Sequence, residues 1–146
     1  MSKRLLIFSL LLVLAAAAGW YWFASGKLAG ASASGPIIQI RPTEYDWGTV
    51  IYGQVARQTF QITNNGDQPL EIQRLSTSCG CTQAFMAESD KIIAPGASAD
   101  LLVTFDPAVH EDDTDLGELM RVVYVKSNDP QRPEAEINLK ANVIKQ

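Results

Sequence analysis

Residues 136 to 143 alternate without a break: Ile137, Leu139, Ala141 and Val143 fall on one parity, Glu136, Asn138, Lys140 and Asn142 on the other. A period of two belongs to an extended strand with one face buried and the other wet. A helix would scatter the same apolar side chains around its whole circumference. Leu101, Val103 and Phe105 set against Leu102 and Thr104 repeat the beat, as do Phe60 and Ile62 against Gln61 and Thr63. A slip of one residue would turn each apolar set toward water, so the parity defines both the core and the strand pairing.

Further β-rich runs follow at intervals of about a dozen residues, a spacing that suits an antiparallel sandwich and not alternating strands and helices. The expected strands are Ile37–Arg41, with Tyr45–Trp47 continuing that edge, then Val55–Thr63, Leu70–Ser76, Ala99–Asp106, Leu119–Lys126 and Glu134–Val143. Gln83–Met86 or Lys91–Ile93 supplies another short piece. Turn chemistry lies between them. Asn64-Asn65-Gly66-Asp67 tolerates positive φ, Pro95-Gly96 suits a type II turn, and Asn128-Asp129-Pro130 joins side-chain bonding to a fixed φ. The expectation is one all-β domain over residues 37–146, an antiparallel β-sandwich of about seven strands.

The amino terminus is of another kind. Lys3 and Arg4 close a short basic end, residues 1–4, and precede nineteen uncharged residues from Leu5 to Phe23. As a helix that run covers roughly 28 Å, close to the hydrocarbon thickness of a bilayer. Trp20, Tyr21 and Trp22 end it with rings that favour the membrane–water boundary. The reading is a transmembrane anchor with its amino terminus cytoplasmic, because basic flanks stay inside. Ala31-Ser32-Ala33 keeps a cleaved secretory signal open as the alternative. Either way the domain is delivered outside the cytoplasm, to the periplasm or cell envelope. Residues 24–36 are almost entirely small and have the composition of a flexible linker.

All sixteen acidic residues lie after residue 35, whereas Lys3, Arg4 and Lys27 lie before it; the remainder carries nine cations against sixteen anions, a net of −7. Such a domain repels phosphate backbones, which sets nucleic acid aside as a partner.

Chemistry, if any, centres on Ser78-Cys79-Gly80-Cys81-Thr82, which holds both cysteines of the chain. In a straight strand their Cα atoms would lie about 6.6 Å apart, near the limit for a disulfide, so a bridge between them demands a bend at Gly80. The loop so closed is too short to remove much unfolded-chain entropy. Three readings stay open. The pair shapes a tight strand-end loop, as a bridge or as buried thiols; it exchanges with other thiols, although no Lys, Arg or His stands beside it in the sequence to favour a thiolate; or it binds copper(I) or zinc, with Met86, His110 or Met120 completing the ligands.

His110 sits beside Glu111, Asp112 and Asp113 and has the setting of a surface histidine. The run Glu111 to Glu118 misses the calcium-loop pattern, its glycine and last glutamate falling at the wrong offsets, and reads as a solvated hairpin loop. Tyr45 and Trp47 share one strand face and read as packing.

Several segments also form a recognisable set: Tyr45-Asp46-Trp47-Gly48-Thr49-Val50 with Gly53, Phe60 to Gly66 with Pro69-Leu70, and the Ser-Cys-Gly-Cys-Thr motif. Ile93 to Gly96, Val103 to Asp106 and Ser127 to Pro130 complete it. From about Ile40 to Val143 the chain resembles the bacterial family called domain of unknown function 1573. That resemblance implies an immunoglobulin-like sandwich related to ASPM and Hydin-type domains, in exported or surface-attached proteins, without an established catalytic site. Function is therefore expected to be contact: a binding or structural module, not an enzyme, meeting a protein or envelope component through Ser78, Cys79, Gly80, Cys81 and Thr82. A thiol redox or copper(I)-handling factor is the alternative.

Overall fold

The computed structural model describes residues 35–111 and 113–145. The anchor expected over 5–23, and the linker up to residue 34, lie outside the described residues. Among the described residues no helix is long and apolar enough to cross a membrane.

Nine strands are described: β1 (Ile38–Arg41), β2 (Glu44–Ile51), β3 (Ala56–Asn64), β4 (Leu70–Thr77), β5 (Thr82–Phe85), β6 (Ile92–Ile93), β7 (Ser98–Phe105), β8 (Gly117–Ser127) and β9 (Glu134–Ile144). They form two sheets, β1-β3-β7-β5 and β2-β9-β8-β4-β6. Both short candidate pieces are strands, so the count exceeds the expected seven. Two short 3₁₀ turns, Glu88–Asp90 and Asp113–Asp115, interrupt the connections.

The alternating parities point as expected. Ile137, Leu139, Ala141 and Val143 of β9 are buried, as are Leu101, Val103 and Phe105 of β7 and Phe60 and Ile62 of β3. With Ile38, Ile40, Leu70, Ile72, Val123 and Val125 most of them fill the main core. Val50, Cys81, Phe105, Ala141 and Val143 form a second cluster, against which Trp47 and Cys79 pack. The Trp47 ring stacks on Phe105 with centroids 5.6 Å apart. Tyr45 meets Trp47 and Phe60 edge-on, so the aromatic pair is packing.

Two expectations about the edge need correction. Tyr45–Trp47 do not continue the strand of β1, and the sandwich is not wholly antiparallel, because β2 joins the opposite sheet and runs parallel to β9. The ladder between β1 and β3 ends at Arg41 opposite Gln61. Pro42 then has no N–H to extend it, and the chain crosses over. Thr43 O accepts from Asn138 N at 2.8 Å and starts the new pairing.

The turn residues are structural clamps. Asn64 is fully buried; its Oδ1 accepts from Gly66 N and Ile37 N, and its Nδ2 donates to Gln68 O and Ile93 O. Asp129 is likewise buried and accepts from Ile38 N, Gln131 N and Arg132 N. Gly96 at φ 74°, with Ala97 N donating to Ala94 O, is the expected type II turn. The last two residues of the expected linker, Gly35 and Pro36, are buried. Gly35 N donates to Asp67 Oδ1 at 2.7 Å and its carbonyl accepts from Asp67 N at 3.1 Å.

Candidate functional site

The loop between β4 and β5 is fastened at both ends. Ser78 N donates to Val122 O on β8, and Ser78 Oγ accepts from Val122 N, each at 2.9 Å. Thr77 Oγ1 lies 2.9 Å from the carbonyl oxygens of both Cys79 and Thr82, and Asp106 N donates to Cys81 O at 2.8 Å. Between these anchors the chain bends at Gly80. Cys79 and Cys81 are joined in a disulfide with Cα atoms 5.2 Å apart, inside the span that a straight strand would have strained.

The two sulfurs have unlike surroundings. Cys81 is 2% exposed and belongs to the second core cluster, whereas Cys79 is half-buried between the exposed Ser78 and Gly80. Cys81 Sγ accepts from Arg121 Nε at 3.1 Å. Arg121 also donates through Nη2 to Asp115 Oδ1 at 2.6 Å and through Nη1 to Met120 O. Asp115 is 1% exposed, and its other oxygen, Oδ2, lies 2.7 Å from His110 Nδ1. A carboxylate only accepts, so that contact places a hydrogen on Nδ1 and turns Nε2 away from Asp115. Nε2 faces the loop: a Cβ at Gly80 would lie 3.6 Å from it. Cys79 Sγ, a His110 ring nitrogen and an Asp115 carboxylate oxygen all lie within 4.8 Å of one another.

The order of connection is thus disulfide, arginine, buried carboxylate, histidine, back to disulfide. A buried carboxylate is costly unless its oxygens are satisfied; here one is held by the guanidinium and the other by the imidazole. The residues from Asp106 to Gly117 fold so as to deliver them. Asp106 Oδ1 accepts from Ala108 N, Glu111 takes positive φ, and Gly117 at φ 83° lets β8 begin.

Beside the bridge a groove of about 290 Å³ is bounded by Val55, Arg57, Gly80, Cys81, Phe85 and Val109. Val55 is 45%, Phe85 49% and Val109 43% exposed. β5 is an edge strand, and Phe85 stands opposite Leu102, which is also exposed.

Of the residues singled out from the sequence, Ser78 to Thr82 form one loop and His110 is brought against it. Met86 packs on the main core, and Met120 is exposed in a separate groove lined by Asp46, Glu118 and Lys140. Both cysteine sulfurs are in a bridge, and in that state the loop presents no thiolate pair for copper(I) or zinc. One expectation of the acidic segment is overturned. His110 is at the surface as expected, its side chain 43% exposed although paired to Asp115, but Asp115 is not a solvated loop residue; the arginine and imidazole bury it. Arg121 and Asp115 were missed. Arg121 carried a signal, since it occupies the inward parity of β8 with Leu119, Val123 and Val125, where a charge needs a partner.

Fold and site together define an all-β domain of two sheets with a bridged Cys-Gly-Cys loop between β4 and β5. The chain belongs to the DUF1573 family, proteins of unknown function, whose model matches residues 38–143. Among solved structures it is similar to a protein of unknown function from Porphyromonas gingivalis W83, at 25% identity and TM-score 0.66, covering 78% of this chain and 50% of that one. The chain therefore spans half the length of that relative. It is similar also to an ASH/PapD-like domain of human CEP192, at 13% identity and TM-score 0.56, covering 75% and 86%. A third similarity is to the VesB protease of Vibrio cholerae, at 14% identity and TM-score 0.55, covering 73% and 31%. The last two are likenesses of fold alone. No curated protein gives a significant match to the sequence.

Proposed function

We propose that the chain is a membrane-tethered binding module of the bacterial cell envelope. Residues 5–23 anchor it, Lys3 and Arg4 hold the amino terminus in the cytoplasm, and the sandwich works outside. The disulfide favours that side of the membrane, since such bridges persist where the compartment is oxidising.

The observation that carries the binding role is the edge strand β5. It leaves the Cys79–Cys81 loop and exposes Phe85 and its cross-strand partner Leu102 side by side on the outer sheet face. Paired exposed apolar side chains on an edge offer both a ladder and a pocket to an extended protein segment. The partner is a protein or another envelope component, and nucleic acid is disfavoured by the net negative charge.

Topology and contact can be tested in one strain. An alkaline phosphatase fused at the carboxyl terminus is expected to be active and membrane-bound, and a photo-crosslinking residue at Gln83 is expected to give a discrete adduct where one at Lys140 does not. An inactive fusion rejects the topology, and equal labelling at the two positions rejects the edge as the binding surface.

A further inference from the structure

We propose that the Cys79–Cys81 bridge is a thiol–disulfide exchange site, with Cys79 as the sulfur attacked, Cys81 as the leaving sulfur, and Arg121 and His110 managing charge and proton. This goes beyond binding and stands on side-chain geometry alone, so it holds or fails independently of the anchor and of the β5 edge.

A bridge built to brace a fold closes a long loop and is sheltered on both sides. This one links residues two apart, which removes little unfolded-chain entropy, and one of its two cysteines, Cys79, is only half-buried. Each sulfur accepts a hydrogen bond at 3.1 Å, Cys79 Sγ from the Cys81 backbone N–H and Cys81 Sγ from a guanidinium, so only the Cys81 end has a charged donor. The donor on Cys81, Arg121 Nε at 3.1 Å, is placed where negative charge develops when the S–S bond breaks toward Cys81. The imidazole lies by Cys79 and beside Gly80, near enough to take a proton from a thiol that approaches Cys79. Gly80 has no side chain to block that approach. Asp115 touches neither sulfur in a hydrogen bond; it is a positioning residue that fixes the arginine and the histidine through separate oxygens. Nothing in a merely bracing loop requires a buried carboxylate with that pair of partners.

The substrate class is a dithiol, and the groove beside Cys81, with Val55, Phe85 and Val109 exposed along it, suits one carried by a polypeptide with apolar flanks. The first substrate thiol gives its proton to His110 Nε2, and its sulfur attacks Cys79 Sγ. A substrate–Cys79 bond forms as the Cys79–Cys81 bond breaks, and the electron pair rests on Cys81 Sγ against the guanidinium. The second substrate thiol loses its proton to Cys81 or to solvent and attacks the substrate sulfur of the mixed disulfide. Cys79 leaves and takes the proton held by His110. Two electrons have passed from the dithiol to the bridge: the substrate is oxidised to a disulfide and the protein pair is reduced. A second disulfide reverses the sequence and restores the bridge.

The test uses the full-length oxidised chain in detergent with reduced glutathione as the probe, quenching with an alkylating reagent and locating adducts by peptide mass spectrometry. The mixed disulfide is expected on Cys79, and dithiothreitol is expected to carry the pair to the dithiol. His110→Gln keeps a donor toward Asp115 but handles the proton poorly, and is expected to slow adduct formation by about tenfold or more. Arg121→Met is expected to slow it similarly, with partial recovery in Arg121→Lys. Because Arg121 also holds Asp115, its replacement can unfold the loop, so His110→Gln, at a side chain 43% exposed, is the deciding variant. Adducts on Cys81, or a His110→Gln rate within about twofold of the native one, would overturn the proposal.

Discussion

Asp115 and Arg121 are joined through Oδ1 and Nη2 at 2.6 Å, the carboxylate almost wholly buried and the arginine side chain 18% exposed. The pair links the β7–β8 connection to strand β8, and through Arg121 Nε to the Cys81 sulfur. Such pairs add little when compared with apolar replacements, yet breaking one is expensive, because the surviving charge is left in a dry place.

Replacing Asp115 by Ala is therefore expected to destabilise the protein by about 3 kcal/mol, the lower end for a broken buried pair, since Arg121 keeps some access to water. Denaturant unfolding of the full chain at neutral pH measures it. A loss below about 0.5 kcal/mol would mean that the surroundings repair the defect.

Gly66 lies against the backbone of the entering chain: a Cβ there would sit 2.7 Å from Ile37 N and 2.8 Å from Pro36 Cα. Gly66→Ala is expected to cost about 1–3 kcal/mol, the range for forced overpacking, because the atoms in the way are backbone. An unchanged unfolding midpoint would show that residues 35 to 37 do not pack on this turn.

Neighbouring positions of β9 are expected to respond oppositely. Leu139→Ala opens a hole in the main core and is expected to cost about 2–5 kcal/mol, while Lys140→Ala on the wet face stays within about 0.5 kcal/mol. Equal costs would contradict the register of the strand.

Millimolar calcium is expected to leave the thermal midpoint unchanged. Asp115, a buried carboxylate of this segment, already spends both oxygens on Arg121 and His110. A rise in midpoint that scales with calcium concentration would show binding to the folded form.

The inward faces of β3, β7 and β9 were legible in the sequence because burial on one side writes itself as parity. The side of the sandwich that β2 joins was not: parity says which face of a strand is wet, and Pro42 says only that a ladder stops. The cysteine loop was visible as a motif, and its need for a bend at Gly80 followed from chain dimensions. Its chemical surroundings were hidden because they come from residues about thirty to forty positions away. Arg121 was written on the apolar parity of β8 and could have been noticed. Asp115 could not, since in a run of carboxylates nothing local distinguishes the one that folding will bury. The sequence reading of the cysteine loop weighed the residues beside it in the chain, whereas the groups that touch the sulfurs are neighbours in space.

The double hold of Asp67 on Gly35 has a mechanical meaning. A pull on the chain from the amino-terminal side of Gly35 arrives first at a residue gripped through both its N–H and its carbonyl, then at Ile37, whose N–H is held by Asn64, and at Ile38, whose N–H is held by Asp129. Tension would be shared between the β3–β4 turn, which joins the two sheets, and the β8–β9 turn of the five-stranded sheet before the first strand could begin to peel, so the entrance of the domain acts as a strain relief, in the manner of a cable clamp.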